Sequence, residues 1–438
     1  MFEFIRRASP LWGNANFNRL WGAQTLSAFG SRITRTAIPI IAVAVLAASP
    51  WESAVLAALS YAPYVLTGML MGGYVERANK VRLMIATDLA RFVVVIAAPI
   101  AWLMGWLSFP LLCVLAALAG AASALFANAD NAVLPRLVKE DELVDANARL
   151  QATESLAELG GPGVAGVLID LLTAPIAMVV DALTFLWSAF WLWRIPRACT
   201  EPETATLQAG DTQGALARLR EDFSVGLLAI WRCRPMRAIL SATFFWYISA
   251  GFFFATFTLF MLRELKMSPS LMGAIISVGG ISALLGTVCA RPLTKAFGYG
   301  PAIVLAFVIG TAGTLMLIPA AVFREWAILF MVLQQVLGDM GMMVFTILAV
   351  SLQQRLLPEN ELARANGFNQ VVNGLGMTVS ILAAGWIAET VGVINTVIIG
   401  ASISAIAVLP LLTPHLLGLK EKPPKPGGLS VENPVVSP

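Results

Sequence analysis

Histidine is nearly missing from this chain: its 438 residues contain one, His415, and no Gly-Lys dipeptide occurs anywhere. The second absence removes a phosphate-binding loop of the G-x-x-x-x-G-K type, so ATP-driven work by this chain alone is not expected. A single histidine at the end of the last apolar run reads as interfacial and leaves neither a hydrolytic triad nor a zinc site to assemble. No enzyme activity, cofactor or metal is therefore expected. Cysteine is scarce as well: Cys113, Cys199, Cys233 and Cys289 show no paired spacing and read as buried thiols. Charge is the third shortage. Charged residues make up 13% of the chain and hydrophobic ones 58%, whereas an ordinary soluble domain carries roughly 25% charged residues. A soluble protein of this length would need far more polar surface. The first sixteen residues hold Arg6 and Arg7 but no apolar run followed by a small-residue cleavage site, so the N-terminus is expected to stay inside.

What fills the chain instead is a series of apolar runs of about 20 residues, the length an α-helix needs to cross a bilayer. Gly, Pro, Thr and Met are scattered within them, as membrane helices tolerate. Period-two alternation of the barrel kind is missing. The runs predict an all-α membrane protein with spans near 18–46, 52–75, 82–106, 109–134, 146–171 and 174–195, then 238–262, 268–292, 299–322, 325–352, 363–389 and 391–415. On this map all 29 Lys and Arg fall to one side except Arg263, Lys266 and Arg324 on the other and Arg32, Arg35 and Arg91 within spans. Cytoplasmic loops accumulate basic residues, which puts both termini in the cytoplasm. The net charge of +3 thus reflects topology rather than affinity for nucleic acid.

The predicted organisation is a six-helix half over 1–195, a cytoplasmic linker over 196–237 with an amphipathic stretch from Leu216 to Trp231, a second six-helix half over 238–417, and a polar, Pro-rich tail over 418–438 that is expected to be disordered. A repeat supports the two halves. Pro135 to Leu150 reads PRLVKEDELVDANARL and Gln354 to Asn369 reads QRLLPENELARANGFN; Arg, Leu, Glu, Glu, Leu, Ala and Asn coincide. Parallel six-helix repeats of this kind build the major facilitator fold, with substrate between the halves near mid-membrane.

Specific segments carry a family resemblance. Gly72 to Arg82, GGYVERANKVR, resembles the signature of the major facilitator superfamily between helices 2 and 3, with Glu76 for the usual Asp and Asn79 for the usual Gly. A degraded counterpart follows in Gly286, Arg291, Lys295 and Gly298. Leu134, Pro135, Asp141, Glu142, Leu143, Ala146 and Asn147, leading to Gly160-Gly161-Pro162 and Gly166, is similar to the drug and siderophore exporter branch, typified by macrolide-efflux and enterobactin exporters. Gly161-Pro162 also resembles the Gly-Pro element of antiporters. The resemblance implies a twelve-helix, proton-coupled exporter in a bacterial inner membrane. Its expected partners are a small amphipathic or siderophore-type substrate, protons and the lipid bilayer, and it would work as a monomer. An importer or narrow exchanger on the same fold is the rival within transport; a membrane sensor or assembly partner is the rival outside it.

The resemblance assigns gating to Gly73, Glu76, Arg77, Gly161 and Pro162, with Glu76 accepting hydrogen bonds at the N-terminus of helix 11, where the macrodipole favours an anion. Topology alone would explain Arg77, Lys80 and Arg82, and close packing alone the glycines of helix 5. Charges inside spans cost about 2.5–3.5 kcal/mol each and so face a partner or a wet cavity. Helices 1, 4, 7 and 10 line the cavity in the superfamily, which ranks Arg32, Asp130 and Asp339 first, with Arg35 beside Arg32. A fixed Arg32–Asp130 ion pair is the structural alternative. Asp339 stands in a half whose span centres hold no Lys or Arg, and a carboxylate buried away from cations can carry a proton; it is the first coupling candidate. Glu154 and Glu158, four apart on one helical face, are the second. Asp88 and Arg91, three apart, read as a structural pair. The aromatics of helix 7, from Phe244 to Phe257, and Met340, Met342 and Met343 of helix 10 could line a large, partly apolar site, or simply face lipid or, for the methionines, pack in the core.

Overall fold

The computed structural model describes residues 10–70, 79–139, 142–196 and 223–419. Gly73, Glu76 and Arg77, the linker from 197 to 222 and the tail beyond 419 lie outside the described residues. Among the described residues, twelve long helices match the predicted spans one for one. These are α1 Ala15–Ile40, α2 Pro50–Leu70, α3 Lys80–Leu103, α4 Phe109–Leu137, α5 Leu143–Leu172, α6 Ala174–Trp193, α7 Arg234–Leu259, α8 Pro269–Phe297, α9 Tyr299–Leu315, α10 Ala327–Leu356, α11 Glu359–Val391 and α12 Val393–Ile406. Eleven stretches among the described residues are long and apolar enough to cross a membrane. A short apolar helix, Phe223–Arg232, is the described part of the predicted amphipathic linker. Phe223 packs tilted against Phe368 of α11 at 4.7 Å between ring centroids.

Backbone features recur 219 residues apart. A π-helical turn ends α1 at Ile41–Val45 and another ends α7 at Phe260–Glu264. Ala47 and Lys266 both take φ 51, and Thr173 and Gly392 take φ 76 and 88. Helix starts repeat in the same register: Pro50 and Pro269, Lys80 and Tyr299, Ala174 and Val393. Thr173 adopts φ 76 with ψ 154, a region suited to glycine alone and costing any other residue about 1–3 kcal/mol. Its counterpart already is glycine. Thr173→Gly should therefore raise stability by about 1 kcal/mol, read as a higher melting temperature in detergent.

By packing, the chain divides into two units. The first takes Met1–Thr206 with Phe254–Val278 and Ile381–Ile394; the second takes Leu207–Phe253, Gly279–Ser380 and Asn395–Pro438. In the first, Phe17, Leu20, Met84, Val133 and Leu192 form one apolar core. Asn14 caps α1, accepting from the N–H groups of Asn16 and Phe17, while its amide donates to Leu137 O at 2.7 Å, tying the start of α1 to the end of α4. Trp21 Nε1 donates to Thr153 Oγ1 at 2.9 Å, and Trp187 Nε1 to Gly22 O at 3.0 Å, fixing α5 and α6 against α1.

In the second unit Phe307 and Phe345 meet edge to face at 4.8 Å. There, side chains added at Gly310, Gly313 and Gly341 would run into the facing helix, because α9 and α10 approach backbone to backbone. Small residues allow such contact where hydrophobic exclusion gives no drive between helices. Met342 sulfur and Met343 Cβ lie against Gly310 and Gly286, so these methionines fill helix contacts in the bundle rather than forming an adaptable surface. Of the helix-7 aromatics, Phe252 is buried and Phe254 is exposed.

Candidate functional site

Six of the charged residues predicted within spans gather in two groups in the first unit: Arg32, Glu154 and Glu158, and Asp88, Arg91 and Asp181. Arg32 of α1 reaches α5, where it pairs with both Glu154 and Glu158; its Nη1 donates to Glu158 Oε1 at 3.0 Å. The spacing of four puts both acids on one face of α5. The arginine is buried, with its side chain 9% exposed, whereas the glutamates are 49% and 63% exposed. Glycine makes the approach possible: a Cβ at Gly161 would sit 2.6 Å from the Arg32 Cβ and Cγ. Next to it, Pro162 has no N–H to give its helix, and the N–H of Gly163 donates out of the helix to Ser277 Oγ of α8 at 3.0 Å. The Gly-Gly-Pro-Gly segment thus seats Arg32 on one side and α8 on the other.

The alternative of an Arg32–Asp130 ion pair is corrected by this geometry. Asp130 instead accepts a hydrogen bond from Gln24 Nε2 of α1, and Arg32 is engaged by two carboxylates of α5. Arg35 is exposed.

The second group lies deeper. Arg91 pairs with Asp88, one turn back on α3, as the spacing predicted, and its guanidinium lies between the rings of Phe126 and Phe185 at 4.2 and 4.4 Å. Asp181 of α6 lies near the same cation. Thr184 Oγ1 donates to Asp181 Oδ1 at 3.2 Å. Asp88 and Asp181 are fully buried, and Arg91 is 4% exposed. Gly30 lets α1 pass over this cluster, since a side chain there would collide with Thr184 and Asp181.

Asp339, in the second unit, is half-buried on α10. Its Oδ2 and the Gln335 amide lie against Gly279 of α8. The structure therefore brings Arg32, Glu154 and Glu158 together, leaves Asp130 to Gln24, and sets Asp339 in a polar contact of its own. Sequence reasoning missed Gln24 as the partner of Asp130, and the aromatic clamp on Arg91; neither has a local signal, because each joins helices far apart in the chain.

A family model for the Major Facilitator Superfamily matches residues 20–356 and, a second time, residues 239–436. The chain belongs to this superfamily. It is thus a membrane transporter rather than an enzyme, of a kind that binds small-molecule substrates within the membrane. Among curated proteins, the uncharacterized MFS-type transporter YvqJ of Bacillus subtilis (strain 168) is 21% identical over 249 residues, which is 56% of this chain and 58% of that protein. The chain thus spans a little over half the length of that relative. Among solved structures, a bacterial homologue of the iron transporter ferroportin in an inward-facing state matches with a TM-score of 0.71 at 15% identity, covering 91% of this chain and 98% of the homologue. A point mutant of the nucleoside transporter NupG matches with a TM-score of 0.67 at 12% identity, covering 91% of this chain and 99% of the transporter. At these identities the likeness is one of fold. Within the superfamily fold, the Arg32 group joins α1 to α5 beside the Gly160–Gly163 segment that meets α8.

Proposed function

We propose that this superfamily member is a proton-coupled secondary exporter of an amphipathic, drug-like or siderophore-type compound, working by alternating access from a bacterial inner membrane with both termini in the cytoplasm. The observation that carries the reading is Arg32 held by Glu154 and Glu158 beside Gly161-Pro162. Two half-exposed carboxylates sharing one cation form a site that a proton or a substrate charge can reset. Had the Arg32 charge stood uncompensated, an anionic substrate would be favoured. Its pairing with Glu154 and Glu158 compensates that charge and removes the preference. Arg32, Arg35, Asp130, Glu154, Glu158 and Asp339 are the proposed substrate and coupling residues. Gly161 and Pro162 are proposed for gating, together with Gly73, Glu76 and Arg77.

Coupling at Asp339 has a direct test. In Asp339→Asn, pH-driven efflux from proteoliposomes should vanish while downhill substrate exchange stays measurable, because a neutral amide can hold substrate contacts but cannot cycle a proton. Persistent pH-driven efflux in that variant would move the coupling to Glu154 and Glu158. For the Glu76 latch the expected outcome of Glu76→Gln is faster labelling of cysteines on the cytoplasmic face, and an unchanged rate would remove its gating role.

A further inference from the structure

The end of the first unit that carries loops 46–49 and 265–268 repeats one arrangement twice. Helix α2 opens with Ser49-Pro50-Trp51-Glu52, and α8 opens 219 residues later with Ser268-Pro269-Ser270-Leu271. In both, a serine is the N-cap: Glu52 N donates to Ser49 Oγ and Leu271 N to Ser268 Oγ, each at 3.2 Å. The proline that follows has no N–H to satisfy. At each helix start the N–H of the residue after the proline also lacks an intrahelical partner, and both go to a carboxylate from another helix. Trp51 N donates to Glu389 Oε2 of α11 at 3.1 Å, and Ser270 N to Asp170 Oδ2 of α5 at 3.1 Å. Asp170 and Glu389 are themselves 219 apart. So are Gly166 and Gly385, one turn before them; a side chain at Gly166 would collide with the backbone of Pro269, and one at Gly385 with Ala54 Cβ of α2. Arg263 Nη2, donating to Val43 O at 3.0 Å, adds a third tie at this end.

We propose that Asp170 and Glu389 are paired latches of the transport cycle, each closing this end of the pathway by capping a helix N-terminus across the two repeats. α5 belongs to the first repeat and caps α8 of the second; α11 belongs to the second and caps α2 of the first. The next donors, Ser53 N and Met272 N, bond back to Ser49 O and Ser268 O within their own segments, so it is the cross-repeat caps that must break when the repeats part. Both acids are exposed, and water can take over the freed N–H groups. That makes the latch reversible, and the macrodipole of each helix adds to the hold on its anion. The mirrored acids mean that the closed state has two equivalent fastenings rather than one.

The inference rests on the alternating-access reading above, and its test uses neither substrate nor proton gradient, so the two fail separately. Met272, on the first turn of α8, is 2% exposed. With Cys113, Cys199, Cys233 and Cys289 replaced by serine, Met272→Cys reports opening through its rate of reaction with a membrane-impermeant maleimide. Asp170→Ala and Glu389→Ala should each speed labelling about threefold, and the pair about tenfold, in line with the loss of one helix cap each. Asp170→Glu, which keeps the charge, should label slowly. Unchanged labelling in the double variant, with an unchanged melting temperature, would overturn the latch. Should the double variant fail to fold, the single Asp170→Asn decides: it should label faster than the parent, and a parental rate overturns the proposal.

Discussion

Arg91→Met is expected to destabilise the protein by about 3–5 kcal/mol, the usual cost of leaving a buried charge without its partner. The guanidinium is the cation that Asp88 and Asp181 share in the described interior of the first unit, and both carboxylates are fully buried. Methionine fills the space between Phe126 and Phe185 but returns no charge, and it also forfeits the cation–π contacts at 4.2 and 4.4 Å, worth about 2 kcal/mol when desolvated. The loss should appear as reduced yield of monodisperse protein and a melting temperature lower by several degrees. Asp88→Asn together with Arg91→Gln should recover part of it, because a neutral hydrogen-bonded pair replaces the broken ionic one while Asp181 stays buried without its cation. If Arg91→Met melts like the parent, the cluster contributes nothing to the fold.

Arg32→Gln should behave in the opposite way, folding well and transporting poorly. Its partners Glu154 and Glu158 are 49% and 63% exposed, so water solvates them when the cation goes and the stability loss stays small. Function should fall further: losing the worth of about one charge-assisted hydrogen bond, about 1.5–3 kcal/mol, from a site that resets every cycle predicts transport lower by roughly 10- to 100-fold. Combining Arg32→Gln with Glu154→Gln and Glu158→Gln should restore folding margins but not coupling. Loss of folded protein in Arg32→Gln, rescued by Asp130→Asn, would revive the Arg32–Asp130 pairing that the observed geometry replaces.

Helix number and order were legible because length and hydropathy act locally: a run of about 20 apolar residues has few alternatives in a bilayer. The Asp88–Arg91 pair was legible for the same reason, being one turn apart on one helix. Arg32 was correctly singled out as costly inside a span, but its partner was misjudged. Choosing between Asp130 and Glu154 depends on how α1 is rotated against α4 and α5, and that rotation is set by Gly161 making room for the arginine stem. The latch acids illustrate a signal present but unused. Asp170 and Glu389 sit at the ends of apolar helices, where a lone acid looks like a solvated terminus; only the repeat spacing pairs them. The methionines of α10 follow the packing alternative, since flexible side chains that could line a site lie in glycine contacts with α8 and α9.

The central claim is exchange of substrate for protons, and one measurement reaches it most directly. Purified protein reconstituted into liposomes loaded with a pH-sensitive dye is given an outward or inward gradient of the amphipathic cation ethidium, with no nucleotide present. The account predicts that ethidium movement drives an opposite movement of protons, seen as a change in lumenal pH that protonophore abolishes and that Asp339→Asn does not show. Ethidium movement with no accompanying proton flux at any imposed pH gradient would contradict it.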